Sequence, residues 1–139
     1  MNSARCAVVA VSLVLFSACA SERAAPTPAD PGQAGYAANC LTCHQADGGG
    51  VPGFQPPLVG SAWVHGDAQT LAAFVLSGGF SSAARKESAS SNVMPPFSQL
   101  DDRTLAAILT YVRANFGDHA GPVGVEQVAA ARALVSAAH

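Results

Sequence analysis

Lysine is almost missing from this 139-residue chain: Lys86 is the only one, charged residues make up 12%, and the formal net charge is −2. Such a surface has no basic field for nucleic acid, which is therefore not expected among its partners. Long hydrophobic runs are missing too. The apolar stretch from Ala7 to Phe16 falls well short of the roughly 20 residues a membrane-spanning helix needs. No segment alternates with period two, so strands are not expected and the chain reads as all-α. Internal repeats are absent. Methionine occurs twice, as Met1 and Met94, and cysteine four times. Cys6 and Cys19 lie in a leader-like segment, which leaves too few thiols elsewhere for a four-cysteine zinc site.

What is present falls into four stretches. Residues 1–20 read as an export signal, with Arg5 as the positive region and Ala7 to Phe16 as the apolar core. Two processing routes are open. Ala18-Cys19-Ala20 suits ordinary signal peptidase, whereas Phe16-Ser17-Ala18-Cys19 resembles a lipobox in which Cys19 would be lipidated. The expected location is the periplasm, with contact to a membrane only through a lipid anchor on Cys19. Residues 21–31 are rich in Pro and Ala, cannot bury a core and read as a linker. Residues 32–117 are expected to form the folded domain, and residues 118–139 a C-terminal helical extension.

Cys40-Leu41-Thr42-Cys43-His44 is a CxxCH motif, the attachment signature of a c-type haem. Its chemistry explains its spacing. Two thiols three residues apart on a helical turn add across the two haem vinyl groups, and His44 supplies the proximal iron ligand. A thioredoxin-like CxxC would need a βαβ setting, which nothing here supplies. The motif occurs once, so one covalent haem c is expected.

Periodicity places the helices around it. Gly32 to Cys43 reads as a helix leading into the motif, and the glycines and prolines of 47–60 as an irregular loop. Asp67 is a suitable N-cap for a helix to about Ser77, with Leu71, Phe74 and Val75 as its stripe and Gly78-Gly79 as its stop. Ser81 to Val93 reads as a second loop. Asp101 or Asp102 opens the longest helix, carrying Leu105, Ile108, Leu109, Val112 and Phe116 on one face. Val125 to Ala138 gives a last helix with Val125, Val128 and Val135 as its stripe.

Met94 is the expected distal ligand, because Pro95 and Pro96 extend and stiffen the strap that must cross the other haem face. His65 and His119 are the alternatives, and either would make a bis-histidine site. A ligating imidazole usually donates its second N–H to a carbonyl, and the Pro57 carbonyl is placed to accept it. Leu58 would then pack on the ring. For Trp63 two roles stand side by side: an indole N–H on a haem propionate, or packing at the haem edge. Val51 to Phe54 and Pro95 to Phe97 are expected to flank the haem edge with an apolar rim.

With these residues placed, Gly32 to Gly117 resembles a small class I cytochrome c. Gly32 and Tyr36 on the first helix, and Ile108 and Tyr111 on the last core helix, match the family's helix-crossing positions. Pro57-Leu58-Val59-Gly60 is similar to the family's Pro-Leu-x-Gly, whose proline carbonyl accepts from the proximal histidine. The resemblance implies three core helices around one haem, followed here by the helical extension. Met94-Pro95-Pro96-Phe97 and the helix after it are similar to a bacterial subgroup serving periplasmic dehydrogenases, nitrite reductases and terminal oxidases. Redox proteins of those kinds are the expected partners. Arg85 to Ser91, a polar insertion before the strap, departs from that subgroup.

The expected function is that of a single-electron carrier rather than an enzyme, cycling Fe(III)/Fe(II) on a haem ligated by His44 and Met94. A haem subunit docked to a dehydrogenase or reductase is the alternative. An open-iron enzyme or sensor is a third class, and Met94 argues against it.

Overall fold

The structure, a computed structural model, describes residues 30–79 and 93–138. The export segment with Cys6 and Cys19, nearly all of the Pro/Ala-rich stretch, the insertion with Arg85 and Lys86, and His139 lie outside the described residues.

Among the described residues six helices follow in chain order: α1 (Pro31–Asn39), α2 (Leu41–His44), α3 (Ala62–His65), α4 (Ala68–Leu76), α5 (Asp102–Phe116) and α6 (Val125–Ala137). Among the described residues no strand forms, and one isolated bridge, Val51 with Gln55, pins a turn. The fold is all-α. No described helix is long and apolar enough to cross a membrane.

The first helix is shorter than its sequence pattern suggests. Asp30 caps α1 by accepting from the Gly32 N–H at 2.9 Å, and Pro31 suits the first turn because its missing N–H would find no helical partner there. Cys40 then leaves helical geometry at φ −120°, and α2 restarts from it. Its carbonyl accepts from the N–H groups of both Cys43 and His44, at 3.1 and 2.9 Å. The expected continuous helix is thus broken at the first cysteine of the motif.

Two aspartates set the other starts. Asp67 accepts from the Thr70 N–H at 2.8 Å and Asp101 from the Thr104 N–H at 2.9 Å, and each also takes its threonine's hydroxyl. On α5 the whole expected stripe is buried. On α4 the buried set is Ala68, Leu71, Ala72, Ala73 and Leu76, while Phe74 and Val75 are half-buried. On α6 Val128 and Ala131 are buried, but Val125, at the first helical position, is 45% exposed. The buried stripe runs instead through Val128 and Ala131, with Val135 packed against it.

The core has two parts, with α5 common to both. Tyr36, Val64, Ile108, Val112 and Phe116 join α1 and α3 to one side of α5. Leu71, Leu76, Leu105, Leu109, Val123 and Val128, among others, join α4 and α6 to the other. At the α1/α5 crossing a Cβ on Gly32 would run into the Ala107 carbonyl oxygen and come within 2.9 Å of the Tyr111 Cβ. Glycine is required there because the two backbones nearly touch. Next to it Tyr36 packs on Tyr111 and Phe116, with ring centroids 5.4 and 5.5 Å away.

Arg113 has a structural role that its place in the helical pattern does not announce. It is buried on α5 and donates from Nη1 to the carbonyls of Val64 and Gly66, at 3.0 and 2.7 Å, and from Nε to that of Gly121 at 2.6 Å. It thereby closes the C-terminal end of α3 and fastens the chain leading to α6.

Candidate haem site

Where the two core halves part, they enclose a cavity of about 460 Å³. That lies within the range of roughly 300–1,000 Å³ usual for cofactor and ligand sites. Cys40, Cys43 and His44 line one wall, and Met94, Pro95 and Phe97 are among the residues of the strap that line it. Leu71, Phe74 and Val75 of α4 and Leu105, Ile108, Leu109 and Val112 of α5 complete a mostly apolar lining. Pro57, Leu58 and Trp63 line it too, so every residue singled out for the site meets the same space. His65 and His119 do not. His65 faces Asp118 across 3.9 Å, and His119 is exposed.

The thiols of Cys40 and Cys43 are free rather than joined in a disulfide. Burial, ahead of the charge on Cys43, pushes the Cys40 thiol up to about 11, which keeps it protonated near neutral pH. His44 carries a buried Nδ1 with no hydrogen-bond partner, a state that costs free energy unless something else orders the ring. Burial lowers its pKa and favours the neutral, metal-ligating imidazole. The Pro56 carbonyl acts in the opposite direction. The Leu58 N–H donates to the Gly48 carbonyl at 2.7 Å and so ties the Pro56-Pro57 segment to the loop after the motif.

The backbone behind His44 is anchored from two sides. The Tyr36 hydroxyl donates to the Gln45 carbonyl at 2.6 Å, and the Gly50 N–H donates to the His44 carbonyl at 3.2 Å. Gln45 sits at φ 62°, a conformation that costs a non-glycine residue energy and reverses the chain directly after the motif.

Elsewhere around the cavity the strap rests against the end of α4. The Phe97 N–H donates to the Val75 carbonyl at 3.3 Å. Gly78, at φ +74°, lies directly beneath the strap, where a Cβ would stand 2.7 Å from the Pro96 nitrogen and 2.9 Å from the Met94 oxygen. In the sequence Gly78-Gly79 reads only as a helix stop. The strap's need for a bare backbone to lie on is a second reason for glycine. Trp63 stacks on Phe74 at 4.4 Å with 23° between the planes, and is 40% exposed. Phe54 is 55% exposed and Pro95 and Pro96 are exposed as well, whereas Phe97 is half-buried and lines the cavity.

A helical cavity with two free thiols and a histidine in CxxCH order on one wall, and a thioether on another, has the donor set of a c-type cytochrome. The orphaned His44 nitrogen and the apolar lining fit a flat, largely apolar macrocycle with a metal at its centre. Comparison with known proteins agrees. Residues 27–112 match the family described as cytochrome c oxidase, cbb3-type, subunit III, and with well over half its length matched the chain belongs to that family of c-type cytochromes. Two cytochromes c-552 of Thermus thermophilus are similar to it, each 34% identical over 85 residues that make up 58% of this chain. The matched stretch makes up 65% and 57% of those proteins. The cytochrome c subunit of a quinone alcohol dehydrogenase from Gluconobacter oxydans is 34% identical over 86 residues, 61% of this chain but 18% of that protein. The chain thus spans less than two thirds of the length of each of these relatives.

Proposed function

We propose that the chain is a periplasmic single-electron carrier built on one haem c, bound covalently through Cys40 and Cys43 and ligated by His44 and Met94. The observation that supports this most is the convergence of those four side chains on one cavity. The haem supplies the Fe(III)/Fe(II) couple; the protein binds it, orients it and tunes it. Cys40 and Cys43 fix the ring against α2. Neutral His44 offers a nitrogen to the iron, and the Met94 sulfur favours the reduced state relative to a second imidazole, raising the potential. The apolar walls keep water off both ligands. Among the described residues the lining carries no carboxylate, lysine or arginine for substrate chemistry, and Met94 would fill the position that an open-iron enzyme leaves free.

The partner is a redox protein. The similarity to a dehydrogenase cytochrome subunit supports a second arrangement, in which the chain is docked to a periplasmic dehydrogenase or reductase as its haem subunit. In either arrangement the one route to a membrane is a lipid on Cys19: a lipidated protein fractionates with membranes and Cys19→Ser releases it, whereas a soluble wild type beginning at Ser21 would mean ordinary signal-peptidase cleavage after Ala20.

Intact mass and redox titration test the carrier reading. Protein matured in an export-competent host gains the mass of one haem and titrates as a one-electron couple. Cys40→Ser with Cys43→Ser loses the added mass. A folded wild type without added mass would overturn the proposal.

A further inference from the structure

The C-terminal helix contributes one side chain to the strap. Arg132 of α6 donates from Nη1 to the Ser98 carbonyl at 2.7 Å, from Nη2 to the Leu100 carbonyl at 2.5 Å, and from Nε to Asp102 Oδ1 at 2.8 Å. Ser98 and Leu100 belong to the turn through which the strap enters α5, closed by the Leu100 N–H donating to Phe97 at 3.1 Å. Asp102 is the first residue of α5. One guanidinium therefore grips both sides of the junction between strap and helix.

We propose that Arg132 is a positioning residue for the distal ligand, a latch that holds the Met94 strap closed over the haem. The inference rests on Met94 being the iron ligand. The chain between Met94 and Ser98 is Pro95-Pro96-Phe97, two residues of which have a fixed φ. Such a segment moves as a lever rather than bending, so lifting Met94 must pivot at the 97–100 turn, where Arg132 bonds. Those bonds exist in the closed strap and break on opening. They require the planar fork of arginine: a lysine at this position could keep the ion pair to Asp102 but could not span both carbonyls. Arg132 is held in place by its helix, since Val128 and Ala131 are fully buried against the core. It also lies outside the 27–112 stretch matched to the family, so this latch belongs to the extension.

Imidazole titration of the oxidised holoprotein tests it, because imidazole reaches the iron only when Met94 leaves. Arg132→Ala should bind imidazole about tenfold more tightly than wild type. Arg132→Lys, which keeps the charge pair and serves if the alanine variant folds poorly, should fall nearer to alanine than to wild type. Gly32→Ala destabilises the fold at the α1/α5 crossing, away from both α6 and the strap; it should lower the unfolding temperature and leave imidazole affinity unchanged. Unaltered affinity in Arg132→Ala and Arg132→Lys, or an equal gain in Gly32→Ala, would overturn the latch while leaving Met94 as ligand. If Met94→Ala binds imidazole no more tightly than wild type, Met94 is not the ligand, and the latch falls with it.

Discussion

The hydroxyl of Tyr36 donates to the backbone carbonyl of Gln45, 2.6 Å away, and so ties the first helix to the residue directly after the proximal histidine. Burial, ahead of the charge on Cys40, pushes this hydroxyl up to about 12, so it remains a donor throughout the neutral range. Tyr36→Phe keeps the ring packing and removes only the bond. The holoprotein should lose about 1 kcal/mol of stability in denaturant unfolding, with the slope unchanged. A variant as stable as wild type would show that the bond does not hold the turn at Gln45.

Gly32 gives a test by sign. In a helix, alanine ordinarily stabilises relative to glycine by up to about 1 kcal/mol. Here the new Cβ meets the Ala107 carbonyl and the Tyr111 Cβ, neither of which is the free end of a flexible side chain. Gly32→Ala should therefore destabilise by roughly 1–3 kcal/mol, the cost of an overpacked contact. Thermal unfolding decides it, and a rise in midpoint would mean that α1 and α5 do not cross this closely.

The capping aspartates make acid stability predictable in sign. The side chain and backbone of Thr104 hold the Asp101 carboxyl below the usual carboxylate range, and the backbone and side chain of Thr70 do the same for Asp67. A carboxylate whose folded pKa is depressed contributes stability above its unfolded value, and this is lost as pH falls through the folded one. Asp101→Asn keeps an accepting oxygen at the cap but cannot titrate. Its unfolding midpoint should fall less than that of wild type between about pH 7 and about pH 3. Parallel curves would contradict the assignment.

Features that rest on local chemistry were legible in the sequence. The CxxCH order, the Asp67 and Asp101 caps and the stripe of α5 each depend on residues a few positions apart, and each stands where the pattern put it. What escaped was non-local. Arg113 and Arg132 look like ordinary surface cations in a helical pattern, yet each is satisfied by carbonyls far away in sequence. The break at Cys40 and the short α3 escaped for a related reason. A helix of four residues has too few positions to show a period, and its ends are fixed by tertiary bonds.

The central claim is that His44 and Met94 ligate one haem iron, and the near-infrared sulfur-to-iron charge-transfer band of the oxidised protein tests it most directly. Wild type should show the band, Met94→Ala should lose it together with a fall in reduction potential, and His65→Ala and His119→Ala should retain it. A band that persists in Met94→Ala, or a wild type without the band whose spectrum changes on replacing His65 or His119, would contradict the account.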